Sequence, residues 1–360
     1  MEIRIAVLPG DGIGPEVIAE AEKVIGAVQK RISDVHLNLE RFDAGAMCYL
    51  ETGKALPEKT LEGCTEAHAI LLGAAGLPNV VHPDGREVGP DAGLGLRFHF
   101  DLYANVRPII LLPGIRSPLA EDKHIDYVII RENTEGLYAS RNGGNILRDE
   151  IATDTIVVTR HGTERVCDFA FSLAQKRSAS SGRMAKVTCV DKANILRTYS
   201  FFRKVFNEVA EDYPDVEKDY AYVDAMTLWQ VLRPETYDVV VTENMFGDII
   251  SDLGAATVGG MGMAPSAEIG VNKALFQGAH GSAPDIAGKG QANPIATILS
   301  AGMMMGWLGE QFDHSGLRDM EEEIKRAVIK TIEQGVMTGD VGGRHSTQEV
   351  GDEIVRNLLA

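Results

Sequence analysis

The sequence predicts an α/β fold built on a substantially parallel sheet, and two observations carry that prediction. Short apolar, β-branched runs alternate with longer amphipathic stretches along nearly the whole chain. The 360 residues, 44% hydrophobic and 24% charged, suffice to bury a large core and to divide into about two domains.

The elements follow in order. Ile3-Arg-Ile-Ala-Val-Leu8 fits a first strand, and Ala69–Leu72, Tyr127–Ile130, Ile156–Val158, Val187–Val190 and Val239–Val241 fit others. Between and after them, Pro15–Lys30, Glu164–Lys176, Phe202–Asp212, Asp248–Thr257, Pro294–Leu308 and Leu317–Gln334 fit helices. Pro78–Gly95 reads as a loop, and the serine-rich Arg177–Arg183 as a turn between a helix and a strand. Repeats and low-complexity tracts are absent, and nothing marks a clean domain boundary.

Composition narrows the function. A net charge of −17 repels nucleic acid and anionic membranes, which reward basic surfaces, so the expected partner is a small molecule. No apolar run approaches the roughly 18 residues of a membrane helix, and the chain enters its first strand without a charged leader and apolar signal core. A cytoplasmic protein is expected. Cys48, Cys64, Cys167 and Cys189 are widely separated and form no Cys-x-x-Cys pair, which predicts buried reduced thiols rather than a zinc knuckle or a disulfide framework.

Gly10-Asp-Gly-Ile-Gly-Pro-Glu16 joins a strand to a helix, yet its spacing is one residue short of the Gly-x-Gly-x-x-Gly dinucleotide fingerprint. A tight strand-to-helix turn explains it at least as well. Gly288-Lys-Gly290 lacks the hydroxyl residue that follows the lysine of a P-loop. The longer segment His280–Pro294 is rich in small residues and turn formers. It is either an irregular surface loop or a backbone that lets a flat ligand approach closely, with Asp285 as an acceptor for ribose hydroxyls.

Asp248 and Asp252 are four residues apart, hence on one helix face, where like charges are tolerated if solvated and favoured if a cation lies between them. Magnesium or manganese would suit such oxygen ligands, with Asp224 as a candidate third. A plain solvated face is the alternative. Arg97, Arg107 and Arg131 form a second set; Arg131 directly follows an apolar strand, and guanidinium forks match carboxylates. Structural salt bridges are the competing reading for each. Lys192 and Tyr138 stand in polar turns and are not diagnostic alone.

Together these segments resemble a known family. Gly10-Asp-Gly-Ile-Gly-Pro-Glu16, Tyr103-Ala-Asn-Val-Arg-Pro108, Arg131-Glu-Asn-Thr-Glu-Gly-Leu-Tyr138, Asp191-Lys-Ala-Asn194, Val223-Asp-Ala-Met226, Asn244-Met-Phe-Gly-Asp-Ile-Ile-Ser-Asp252, Gly281-Ser-Ala-Pro-Asp-Ile-Ala-Gly-Lys289 and Thr338-Gly-Asp-Val-Gly-Gly343 occur in the order seen in the β-decarboxylating isocitrate and isopropylmalate dehydrogenases. The resemblance implies a two-domain α/β fold with a mixed, largely parallel sheet, distinct from the Rossmann fold. Residues 1–103 plus 259–360 would bind NAD, and 104–258 would carry substrate, metal and the homodimer contact. It implies a divalent cation, Mg2+ or Mn2+, held by Asp224, Asp248 and Asp252, with Lys192 and Asp224 reaching the site from the neighbouring subunit. Catalysis falls to Tyr138, Lys192 and Asp224, and the substrate's carboxylates to Arg97, Arg107 and Arg131. The cofactor falls to Ile13, Gly73, His280, Gly281, Ser282, Ala283, Asp285 and Asn293.

In this family the residues before the first substrate arginine read the group on C3. Isocitrate enzymes resemble one another in a Ser-x-Asn pair where this chain has Asp91 and Gly93, and homoisocitrate enzymes offer an arginine where Leu94 stands. With no cation in this segment for a third carboxylate, Leu94 suits an apolar substituent, each buried methylene adding about 0.8 kcal/mol. Isopropylmalate is the expected substrate, ahead of tartrate or D-malate and then homoisocitrate or isocitrate. Asn133-Thr-Glu-Gly-Leu-Tyr138 departs from the Leu-Thr-Gly-Gly-Ile-Tyr of many isopropylmalate enzymes; it resembles the form shared by isocitrate, homoisocitrate and tartrate-like relatives and also that of archaeal isopropylmalate enzymes. A homologue that kept only a regulatory role would need neither Lys192 nor Tyr138.

Overall fold

A computed structural model of the chain describes residues 1–119, 123–141 and 143–360. In chain order the first half holds β1 (Glu2–Gly10), α1 (Gly14–Arg31), β2 (His36–Arg41), α2 (Ala46–Thr52), α3 (Glu58–Glu66), β3 (Ala69–Ala74), α4 (Pro90–His99), β4 (Ala104–Ile110), β5 (Asp126–Glu132), β6 (Asn145–Leu147) and β7 (Ile151–Thr153). Then follow α5 (Arg160–Ser181), β8 (Lys186–Asp191), α6 (Arg197–Val209), β9 (Glu217–Tyr222), α7 (Val223–Leu232), β10 (Val239–Thr242) and α8 (Asn244–Thr257). The chain closes with β11 (Pro265–Ile269), β12 (Ala274–Gly278), α9 (Ile295–Gln311), α10 (Ser315–Glu333) and α11 (Thr347–Leu359).

The expected α/β architecture forms around one ten-stranded mixed sheet of order β2-β1-β3-β12-β11-β4-β5-β10-β8-β9. Its two flanks are parallel, and its centre, from β12 through β11 and β4 to β5, is antiparallel. Helices cover both faces, as parallel strands require. The period-2 alternation of the strands sorts side chains between the two cores. Ile3, Ile5 and Val7 of β1, Leu71 of β3, Val128 and Ile130 of β5 and Val239 and Val241 of β10 join one core shared by α1, α5, α6, α9, α10 and α11. On the opposite face Ala6, Leu8, Ile70 and Leu72 pack with Leu96 of α4, and Tyr127, Ile129 and Val240 pack separately with Met226 of α7 and Ile250 of α8. The gap between those two smaller cores is where the candidate site lies.

Several local readings change. Pro90–His99, whose first six residues fall within the expected Pro78–Gly95 loop, is helix α4, because Ala92 and Leu96 bury completely and Pro90 is tolerated in a first turn. Ile156–Val158 is no strand: Val157 makes only a bridge to Gly136, while Ile151–Thr153 pairs with Asn145–Leu147. Helix α5 absorbs residues 177–181, since the Ser180 and Ser181 hydroxyls donate back to the Arg177 carbonyl oxygen and Gly182 closes the helix at φ +70°. Helix α8 begins at Asn244, four residues before the Asp248 start its apolar pattern suggests, because the Glu243 carboxylate accepts from the Met245 and Phe246 amides. Asp224 belongs to the first turn of α7.

At the β1–α1 junction Gly10 and Gly12 have φ of +73° and +58°. A Cβ would strike the Ala74 carbonyl oxygen at the first and the Ser282 carbonyl oxygen at the second, so the tight-turn reading accounts for both glycines. Asp11 between them is buried and accepts from the Ala46, Met47 and Gly76 amides, tying three segments together. All four cysteines are buried and free. No helix among the described residues is long and apolar enough to cross a membrane.

Candidate active site

Beneath the gap between the two smaller cores, the antiparallel centre of the sheet is polar where its neighbours are apolar. Asn105 and Arg107 of β4, Ser266 and Glu268 of β11, Gln277 of β12 and Arg131 of β5 share that face with Asn133. Glu268, 1% exposed, receives a two-pronged bond from Arg97 of α4, Nε at 3.0 Å and Nη2 at 2.7 Å. Asn133 and Gln277 donate to the same carboxylate at 3.0 and 3.1 Å. Burial pushes the Glu268 pKa up, but Arg97, with Arg107 and Arg131 farther off, outweighs it and holds the group ionised below its usual range.

Arg107 has no carboxylate partner among the described residues; its Nε donates to Asn105 Oδ1 at 2.9 Å, and burial holds its pKa below the ordinary value. Arg131, also buried, donates to Asn244 Oδ1 from Nε at 3.0 Å and from Nη2 at 2.7 Å and pairs with Asp248. Its pKa is pushed down to about 10 by burial, with Asp248 opposing and the two other arginines adding to the shift. Three mutually repelling guanidiniums in an acidic protein, one of them unpaired, make a seat for an anion.

They line one cavity of about 320 Å3 with Leu72, Leu94, Gly93, Tyr138, Asp248 and His280. Tyr138 donates to Asp248 Oδ2 at 3.0 Å and lies under the Arg131 guanidinium, 5.5 Å from its ring centroid. Burial and then Asp248 raise its phenol pKa, so the group is a proton donor at neutral pH. His280 is held below its ordinary pKa by burial, hence neutral. Leu94 and Leu72 supply the apolar wall.

Other predicted residues lie apart from this cavity. Lys192 pairs with Asp224 at 2.5 Å, and neither lines it. Asp252 is one turn beyond Asp248 on α8, its pKa raised by desolvation and by Asp248 while Arg107 opposes. Among the described residues no three acidic, histidine or cysteine side chains of one chain gather closely enough to hold a metal ion. Asp248 and Asp252 offer hard oxygen donors of the right kind, and like charges at that spacing favour a cation, so the pair fits Mg2+ or Mn2+ but a single chain leaves the set incomplete. On the cofactor side, the Ile13 amide donates to the Ser282 carbonyl at 2.8 Å, and Ile13, Ala74 and Ala292 pack with Ala283 and Ile286. The predicted Gly281, Ser282, Ala283 and Asp285 thus follow His280 on a segment lying against the β1–α1 turn, with Asp285 exposed. Asn293 is buried, donates to Asp340 at 3.0 Å and accepts from the Ile295 amide at α9. Gly73 is buried in β3, where a Cβ would strike the Pro9 carbonyl oxygen.

Sequence reasoning missed Glu268, Asn105 and Asn244, which hold the arginines, and Asn133 and Gln277, which hold Glu268. The signal for one was present: Pro-Ser-Ala-Glu-Ile puts a single carboxylate in a short strand with no other charge, which demands a cation if the strand is buried.

A cluster of buried arginines facing two aspartates one turn apart, on the mixed centre of an α/β sheet, defines an enzyme site for a small polyanionic acid. The isocitrate/isopropylmalate dehydrogenase family model matches residues 4–354. The chain belongs to that family. It is 42% identical over 99% of its length to the 3-isopropylmalate/3-methylmalate dehydrogenase of Methanocaldococcus jannaschii, covering 98% of that protein. It is 43% identical, with the same two coverages, to the 3-isopropylmalate dehydrogenase of Thermobifida fusca. Among solved structures it resembles the isocitrate dehydrogenase of Methylococcus capsulatus, with a TM-score of 0.87, 37% identity and coverage of 99% of this chain and 100% of that one. The apo β-decarboxylating dehydrogenase of Thermococcus kodakarensis aligns with a TM-score of 0.79 at 37% identity, covering 99% and 96%.

Proposed function

We propose that this protein is an NAD-linked, divalent-metal-dependent dehydrogenase that oxidises 3-isopropylmalate at C2 and removes the carboxylate β to the new ketone. The observation that carries the substrate is the pairing of the arginine cluster with an apolar wall of Leu72 and Leu94 in one cavity. The names of the relatives support the same reading.

Arg97, Arg107 and Arg131 bind the two carboxylates and fix C2 for reaction, positioning being worth several kcal/mol of barrier. Lys192, with Asp224, takes the proton from the 2-hydroxyl. Bound NAD would supply the acceptor for the hydride released from C2. Asp248, Asp252 and Asp224 would hold the cation, which would make the alcohol more acidic and stabilise the electron pair left on the substrate as carbon dioxide departs. Tyr138 then donates its phenolic proton to C3, and the product leaves as a 2-keto acid. Ile13, Gly73, His280, Gly281, Ser282, Ala283, Asp285 and Asn293 form the cofactor side, and Asp285 favours NAD because it would repel a 2'-phosphate on the ribose.

The same reading has residues 1–103 plus 259–360 as the NAD domain, 104–258 as the substrate domain, and a homodimer in which Lys192 and Asp224 serve the partner's site. Two observations support the dimer. Leu228, Leu232 and Ile249 of α7 and α8 are exposed, as are Ile146, Leu147 and Ile151 of the β6–β7 hairpin, and apolar surface on this scale asks for a cover.

Magnesium-dependent NADH formation tests the proposal, with kcat/KM compared across isopropylmalate, D-malate, tartrate and homoisocitrate. Isopropylmalate should give the highest value; a higher value for any other acid overturns the substrate. Comparable efficiency with NADP overturns the role of Asp285.

A further inference from the structure

The segment that brings Tyr138 into the cavity also delivers a cation that no neighbour of Arg97 in sequence supplies. Three residues after Tyr138, and tied to it by a backbone bond from its own amide to the Tyr138 carbonyl at 3.3 Å, stands Arg141. Its guanidinium lies over the Phe98 ring, 5.3 Å from the centroid, and its Nη1 is 3.9 Å from Asp91 Oδ1. Asp91 and Phe98 are seven residues apart on α4, so they share one helix face, and the turn between them carries Leu94. A group spanning Asp91 and Phe98 therefore lies beside Leu94, on the side of α4 away from Arg97.

Two further facts leave this guanidinium available. The gap to Asp91 is longer than a hydrogen bond, and Asp91 already has a partner in His82 Nε2 at 2.7 Å. Arg141 Nη1 is buried yet has no hydrogen-bond partner among the described residues. A buried donor of this kind is usually satisfied, and here the ready partner is an acceptor on a ligand. The planar fork, stacked on an aromatic ring, is suited to a carboxylate.

We propose that Arg141 is a specificity-determining residue that pairs with a carboxylate at the tip of the substrate's C3 substituent, so that the site accepts a 2-hydroxy diacid with an acidic C3 arm beside one with an apolar arm. The inference rests on the proposed reaction and on the binding of the two other carboxylates by Arg97, Arg107 and Arg131. An apolar arm packs on Leu94; an acidic arm passes it and reaches Arg141. Asp91 is the opposing charge, so it weakens the acidic arm's hold and biases the enzyme toward the apolar one.

The test uses the magnesium-loaded enzyme with isopropylmalate and homoisocitrate as probes, measuring kcat/KM with NAD and, separately, Kd by calorimetry. Arg141→Met should lower kcat/KM and affinity for homoisocitrate at least tenfold while changing isopropylmalate by less than about twofold, since it removes a charge-assisted bond and keeps most of the packing. Arg141→Lys should restore part of the loss, and Asp91→Asn should raise homoisocitrate affinity. Failure of homoisocitrate to bind the wild-type enzyme, equal losses on both acids, or no change on homoisocitrate would each overturn the proposal. Arg141-dependent turnover of homoisocitrate without turnover of isopropylmalate would instead uphold it and remove isopropylmalate as the substrate.

Discussion

Arg97 and Glu268 show what it takes to keep an anion-binding cation inside a sheet. The pair is 7% and 1% exposed, and removing either charge would leave the other largely buried without its counter-ion. Glu268→Gln keeps the shape but leaves Arg97 unneutralised, so stability should fall by about 2 kcal/mol in urea unfolding while KM for the acid rises. Stability unchanged within error would mean that the neutral amide oxygen suffices to seat Arg97. Tyr138 and Lys192 lie outside the packed core, so Tyr138→Phe and Lys192→Met should each lower kcat by orders of magnitude and leave the melting temperature within a few degrees. Near-normal turnover in either variant would remove that residue from the chemistry.

Helix α10 carries the clearest pH dependence. Glu321 lies against α9 at Gly306, where a Cβ would strike its carboxylate, and burial pushes its pKa up to about 7; Glu322 adds to the shift, Lys325 opposes it and Glu310 adds again. Unfolded, the group titrates near 4.5. Between those values the folded chain holds a proton that the unfolded chain has released, so stability declines as pH rises through the window and the penalty is complete above it. Glu321→Gln should therefore gain stability relative to the wild type, by up to about 3 kcal/mol, between about pH 4 and about pH 8. Equal stability differences at both pH values would rule out an ionised Glu321 as the cause. At α11, Ser346 and Glu349 form a capping box, the hydroxyl accepting from the Glu349 amide while the carboxylate accepts from the Ser346 amide. Ser346→Ala should cost about 1 kcal/mol, read as a lower thermal midpoint.

On the scale of the whole molecule, one chain separates Lys192 and Asp224 from the cavity that holds Arg131, Tyr138 and Asp248. If the partner supplies the missing pair, two inactive variants can complement each other. Mixing Lys192→Met with Asp252→Asn, after unfolding and refolding together, should restore about a quarter of wild-type activity, because random pairing makes half the dimers mixed and each mixed dimer has one intact site. No recovery on mixing would require all the groups to come from one chain. A charge at Leu228 or Leu232 should yield a folded, inactive monomer, detectable by sedimentation.

The sequence by itself determined what is local. The alternation of Ile3, Ile5 and Val7 with Ala6 and Leu8 specified a strand buried on both faces, the glycines around Asp11 specified a tight turn, and Asp248 and Asp252 specified one helix face, because each depends only on backbone periodicity or permitted φ. The family's motifs added the roles, since their order along the chain is itself a linear signal. Only the tertiary structure decided that Pro90–His99 is a helix, because burial of Ala92 and Leu96 outweighed a segment rich in turn formers, and that Ile156–Val158 is not a strand, because an apolar run needs a partner and Asn145–Leu147 pairs elsewhere. It alone joined Arg97 to Glu268, 171 residues away, and Arg141 to the face of Leu94. Buried charges find their partners through the geometry of the sheet, and no spacing along the chain encodes that distance.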